Sequence, residues 1–218
     1  RHKSYYVNLE KVRNSNDYLT LLSQSKRLQV RRSIKEYGKI GELQLSVAGN
    51  TEDALRILDE LIELHQKRWT ERGQPGAFSN PYFLNFHKNL IISRFNHGEI
   101  QLMKLSAGTT TVGCLYNFIY NGTVLFYQSG FNYGTNNIYR PGLTSHYYAI
   151  SHNAMLGYDY YDFLSDEDQY KVSLATDYNE MLNIIIQKRD IKYTMWRLVG
   201  ATYRTLKKVR SSISPEEI

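Results

Sequence analysis

The chain has 218 residues, 42% of them hydrophobic and 22% charged, with a net charge of +6. These values suit one large folded domain or two small ones, and they exclude global disorder. A single cysteine, Cys114, excludes an internal disulfide and argues against a cysteine-based zinc site.

The basic balance favours an anionic partner without choosing among coenzyme, nucleic acid and membrane surface. Tyrosine is the outlier, with 19 copies. That number fits rings half-buried on strands with hydroxyls at the edge, or a rim for a sugar or peptide. No run reaches the length of a transmembrane helix, and the opening Arg1-His-Lys-Ser is not a secretory signal. A cytoplasmic setting is the expectation. The missing initiator Met reads as the mark of an excised or mature piece.

In chain order, Ser15 or Asn16 can cap a short helix through Leu22. A basic helix from Ser25 to Tyr37 follows, carrying Lys26, Arg27, Arg31, Arg32 and Lys35, and Gly38 and Gly41 end it. Glu42–Val47 alternates Leu43, Leu45 and Val47 with polar residues and reads as a strand. Glu52 and Asp53 open a helix to Arg72, whose apolar face is Leu55, Leu58, Leu61, Ile62, His65 and Trp69.

Asn80-Pro81 caps the next helix, which is expected to bury Phe83, Leu84, Phe86, Leu90 and Ile91 and to end at His97-Gly98. Three strands then form an antiparallel meander: Glu99–Ser106, Thr111–Tyr120 and Thr123–Ser129, with Asn121-Gly122 as a hairpin turn. A helix runs from Pro141 to Gly157. Tyr158–Leu164 reads as a buried strand, 165–169 as an acidic loop and Met181–Gln187 as another strand. A basic helix from Trp196 to Val209 and a tail from Ser211 to Ile218 close the chain.

This order predicts a mixed α+β fold. After Gly130 the chain crosses over through the Pro141 helix and returns as a parallel neighbour. Two parallel strands can splay, and a ligand can pair with the exposed backbone between them. The run Tyr127-Gln-Ser-Gly-Phe-Asn132, followed by Tyr139-Arg-Pro-Gly-Leu143, delivers a strand end to a helix start. Free N–H groups and the positive end of a helix dipole meet there, with Arg140 beside them. Those are the parts of a phosphate site. They point to a phosphate-bearing donor such as acyl-CoA, and so to acyl transfer. The same residues also fit an ordinary Pro-Gly helix start.

Several motifs carry a resemblance: Leu64-His65, Arg68-Trp69, Arg72-Gly73, Gly76 and Phe78, then Phe86-His87, Gln128-Ser-Gly-Phe131, Pro141-Gly-Leu143, Asp162-Phe-Leu164, Glu167 and Tyr170-Lys171. Spanning roughly 41–176 in this order, they resemble the CelD-type acetyltransferases of the GNAT superfamily, a branch similar to the Fem-type aminoacyl transferases. The resemblance implies a GNAT-like acyl-CoA N-acyltransferase fold, a central mixed sheet splayed around a donor cleft with helices on both faces. It implies acetyl-CoA or another acyl-CoA as donor and no metal. The acceptor is then an amine or hydroxyl of a small molecule, sugar or envelope precursor. It also implies an absent N-terminal half, reached through lead-in helices at 1–40, with the acyltransferase domain at 41–210 and a tail at 211–218. Tyr139-Arg-Pro-Gly142 stands where standard GNAT enzymes carry a glycine-rich pyrophosphate loop. A tRNA-dependent Fem-type transferase, using the basic segments 26–39 and 188–210, and a non-catalytic GNAT-like module are the alternatives.

The candidate donor contacts are Gln128, Ser129, Gly130, Arg140, Gly142 and Leu143. Asp162 at a strand end and Glu167 on the next loop are candidate proton acceptors. The Fem-type resemblance makes Lys171, after Tyr170, a candidate for stabilising charge that develops during transfer. His65, Arg68, Trp69 and Arg72 share one helix face and either line the acceptor side or pack the helix. The histidines lack ligand spacing, so no metal is expected.

Overall fold

Asn121 and Gly122 both adopt positive φ, 45° and 72°. That is the backbone of a tight hairpin turn whose twist matches its strands. It joins β4 (Thr110–Tyr120) to β5 (Thr123–Phe131) in a computed structural model that describes residues 2–15, 17–134, 136–164, 169–184, 186 and 188. The other strands are β1 (His2–Asn8), β2 (Leu43–Val47), β3 (Ile100–Ala107), β6 (Tyr160–Asp162) and β7 (Asp177–Met181). They form one seven-stranded sheet in the order β2-β3-β4-β5-β6-β1-β7. Every pairing is antiparallel except β5 with β6. The chain crosses from β5 to β6 through α5 (Pro141–Met155), as the sequence predicts.

Alternation along the strands sends side chains to opposite faces. Cys114 and Tyr116 of β4 pack with Ala54, Leu58 and Leu61 of α3 (Thr51–Glu71) and Ile91 of α4 (Pro81–Arg94). Leu115, between them, packs instead with Leu9 and Val12 of α1 (Leu9–Asn14), Val30 of α2 (Gln24–Tyr37) and Ala149 and Ile150 of α5. Helices therefore cover both faces. A short α6 (Gln169–Leu174) precedes β7.

Four expectations are corrected. The expected lead-in helices at 1–40 include α1 and α2, but a strand precedes them: β1 pairs with β6 and β7, and Val7 and Leu9 are fully buried in the common core. The last strand among the described residues is Asp177–Met181, which pairs with β1 although it is polar; it shares only Met181 with the expected run. The short helix before Leu22 is a 3-10 turn over Tyr18–Leu21, capped by Asp17. On α4 the buried residues are His87 and Ile91; Phe83, Leu84 and Leu90 are partly buried against the same core, and Phe86 is 59% exposed. The sheet surface there offers hydroxyls, which favours a polar aromatic: His87 meets Tyr116 Oη at 3.4 Å through Nδ1 and Tyr127 Oη at 3.1 Å through Nε2. The compact unit that holds the sheet ends at Met181. The expected helix Trp196–Val209 and tail 211–218 lie outside the described residues.

Candidate active site

β6 is short, and its ladder with β5 covers only Thr123–Leu125. β5 runs on to Phe131 and stays paired with β4. Its last residues thus lie past the end of β6, and the sheet opens there. The loop that follows Phe131 and the first turn of α5 enter the opening.

Pro141 occupies the first turn of α5, and Arg140, the N-cap residue, makes no side-chain cap hydrogen bond. Its backbone N–H donates instead to Ser33 Oγ at 3.0 Å, and Ser33 Oγ lies 2.7 Å from Thr144 Oγ1. Ser33 is fully buried, so this clip fixes α2 against the start of α5. It brings Lys26 and Gln29 of α2 beside Arg140. At Gly142 an added Cβ would lie 3.3 Å from the Phe131 ring, so the helix start sits tight on the strand end.

Together these parts enclose a cavity of about 480 Å³, within the range of small-molecule sites. Gln128, Ser129 and Phe131 of β5 line it, as do Arg140, Gly142 and Leu143 of the α5 start and His65, Arg68, Trp69 and Arg72 of α3. Tyr170 of α6 completes the wall and stacks on the buried His146 ring, centroids 5.9 Å apart. The sequence reading missed Lys26, Gln29, Phe131, Tyr133, Asn136, Asn137 and Tyr139, which also line it. Phe131 and Tyr139 stand inside the two motifs, and Tyr133, Asn136 and Asn137 lie between them. Lys26 and Gln29, three apart on a helix, give no signal until α2 is seated.

The cavity is electropositive. Its charged lining residues are Lys26, Arg68, Arg72 and Arg140, with no carboxylate among the described ones. Burial pushes the Lys26 ammonium down from its ordinary value, and the neighbouring Arg140 charge adds to the effect. The Arg68 guanidinium lies over the Tyr133 ring, 4.5 Å from its centroid. Burial raises the Tyr133 phenol, against the pull of Arg68 and Arg72. Arg68 has Glu71 within 3.8 Å, outside the lining; the remaining excess of like charge makes a site for an anion.

Three expected site residues stand elsewhere, and a fourth lies outside the described residues. Gly130 faces α3: an added Cβ would fall 2.9 Å from Leu64 Cβ and closer still to the Leu61 carbonyl oxygen. It lets helix and strand touch. Asp162 does not line the cavity; its Oδ1 accepts from Ser4 Oγ at 3.0 Å and from the Leu164 N–H at 2.7 Å, clipping the end of β6. Lys171 is not a surface lysine: it is buried on α6, and its charge helps hold His146 neutral. Glu167 lies outside the described residues. Cys114 is fully buried, and burial raises its thiol to about 12, as suits a core residue. Among the described residues no cluster of His, Cys, Asp and Glu could hold a metal, and no helix is long and apolar enough to cross a membrane.

Residues 24–172 match the family model of the acetyltransferase (GNAT) domain. No curated protein matches the chain. Among solved structures, FemX is similar with a TM-score of 0.57 at 10% identity, over 79% of this chain and 58% of that one. A conserved protein of unknown function from Bacteroides thetaiotaomicron gives 0.53 at 14% identity, over 79% and 55%. The C-terminal domain of a protein assigned as a lysylphosphatidylglycerol synthetase from Agrobacterium fabrum gives 0.50 at 13%, over 74% and 46%. At these identities the likeness concerns the fold. The chain spans about half the length of the solved chains it matches.

Proposed function

Because the chain belongs to the acetyltransferase (GNAT) domain family, we propose that it moves an acyl group from acyl-CoA to an amine or hydroxyl of a small-molecule, sugar or envelope-precursor acceptor. The observation that carries this reading is the electropositive cavity at the splayed end of β5, where the α5 start, Lys26 and Arg140 converge. A coenzyme's phosphates lie against Arg140, Lys26 and the N–H groups of Gly142 and Leu143. Its amide-bearing arm follows the end of β5, at Gln128 and Ser129. The acceptor enters from the α3 side, past Arg68, Trp69 and Arg72. Its heteroatom then attacks the thioester carbon directly, and the thiolate leaves.

Calorimetric titration of acetyl-CoA tests the donor site. The expected result is micromolar binding, weakened at least tenfold by Arg140→Ala and by Lys26→Ala. A folded protein that takes up no acetyl-CoA overturns this donor.

The fold shared with FemX supports a second reading, a donor carried on aminoacyl-tRNA. Two cations of the basic α2 are already engaged: Arg27 donates to the carbonyls of Leu19, Thr20 and Leu22, and Arg31 pairs with Asp17 at 3.6 Å. That favours the coenzyme. Binding to tRNA with a steep inverse dependence on salt would favour the alternative.

A further inference from the structure

We propose that His65 is the proton acceptor of the transfer, its Nε2 taking the proton of the attacking amine or hydroxyl. The assignment rests on the acyl-transfer reading of the cavity and adds a reacting group to it.

The tautomer follows from Gln66. The Gln66 amide nitrogen donates to the Pro75 carbonyl at 2.7 Å, so its oxygen must point the other way. That oxygen accepts from the Phe78 N–H at 3.3 Å and lies 3.1 Å from His65 Nδ1. A carbonyl oxygen cannot donate, so Nδ1 carries the hydrogen and Nε2 keeps the lone pair. The ring is held edge-to-face by Phe78 at 5.2 Å and flanked by Trp69 at 5.8 Å. It is therefore oriented, in the right tautomer, and lines the cavity. An oriented neutral imidazole is the usual equipment for general base catalysis.

Nothing else on the described walls serves as well. The cations Lys26, Arg68, Arg72 and Arg140 come from α2, α3 and the start of α5. Tyr133, Tyr139 and Tyr170 come from the loop and α6, and β5 supplies uncharged Gln128 and Ser129. The turn packed on the ring supplies only uncharged Phe78. Burial lowers the His65 imidazole below its ordinary value, against a smaller opposing effect of Gln66.

The step balances as follows. The acceptor nitrogen or oxygen bonds to the acyl carbon while its proton passes to Nε2. The carbonyl electron pair moves to oxygen, returns and breaks the carbon–sulfur bond. The coenzyme thiolate leaves and takes the proton from Nε2, restoring the neutral ring.

Two measurements on the whole chain test this. With 15N-labelled histidine, long-range 1H–15N spectra at pH 7.5 should show the Nδ1–H tautomer for the signal lost in His65→Gln. A Nε2–H tautomer, or an imidazolium, overturns the proposal whether or not acetyl-CoA is the donor. The second measurement is thiol release from acetyl-CoA in the presence of a panel of primary amines. His65→Gln should slow it by about 10²- to 10⁴-fold and remove the acidic limb of the kcat/KM profile. Transfer within threefold of the wild type, or a slower variant that keeps the acidic limb, overturns it. A wild-type chain that binds no acetyl-CoA retires the donor instead, and the tautomer then decides for or against His65. Gln66→Leu, which frees Nδ1, should slow transfer by about tenfold without changing acetyl-CoA affinity.

Discussion

The two ends of β5 differ in one respect. At its start, Thr123–Leu125, the strand has a neighbour on each side, and its residues serve the core: Val124 is fully buried. At its far end, Gln128–Phe131, one neighbour has gone. The same strand turns from structure to site because β6 stops at Asp162. Within β5 the opening needs one special residue, Gly130, which admits α3 beneath. Outside β5 it needs a partner strand that ends early and a helix start to fill the gap.

The largest effect should come from closing that contact. Gly130→Val places a branched side chain against the backbone of α3 at Leu61 and the side chain of Leu64. Overpacking against backbone that cannot yield is expected to cost about 3 kcal/mol or more. Chemical denaturation would read this as a lower midpoint. A variant as stable as the wild type would mean that α3 does not lean on the open end of β5.

The next effect belongs to the closed side. His146 is fully buried, with Nδ1 3.1 Å from Tyr161 Oη, and burial, helped by Lys171, lowers its imidazole to about 3. The unfolded chain takes up the proton below about pH 6.5, while the folded chain refuses it until near pH 3. Stability should therefore fall as pH drops between these values, by about 2 kcal/mol from pH 7 to 5. His65, His87 and His152 are shifted the same way and add to the slope. His146→Phe should flatten the slope in part; an unchanged slope would show that His146 is not held neutral.

At the open end, removing one cation should weaken acetyl-CoA by about 10- to 100-fold, the range of one charge-assisted phosphate contact of about 1.5–3 kcal/mol. Arg140→Ala should lose more than Lys26→Ala, because the Lys26 ammonium is already discouraged by burial and by Arg140. Equal losses would separate the two cations into independent contacts.

What could be read in the sequence was mostly local. Asn121-Gly122, Asn80-Pro81 and Pro141-Gly142 mark turns and helix starts through their own backbone preferences, and each stands where expected. β1 was missed although Ser4-Tyr5-Tyr6-Val7 favours a strand. Its partners β6 and β7 lie more than 150 residues away, as in the register Tyr6 to Asp162, and pattern alone does not reveal them. The cavity was legible where it lies on one element, as with His65, Arg68, Trp69 and Arg72. Lys26 reaches it only through the Ser33 clip, a tertiary contact between residues 107 apart.

The smallest expected effect concerns Asp162, which sequence reasoning placed at the cleft. Asp162→Asn keeps an oxygen that can accept from Ser4 and Leu164 and loses only the charge. A charged acceptor is worth about 1 kcal/mol more than a neutral one, so stability should drop by about that much. Leu164 has φ 60°, an uncommon value for a leucine, and the Asp162 acceptor holds its N–H. The loss should therefore appear as faster amide exchange at Leu164, with acetyl-CoA affinity unchanged. If affinity fell tenfold while exchange stayed the same, Asp162 would belong to the open end after all. The early stop of β6 would then be part of the donor site and not only its cause.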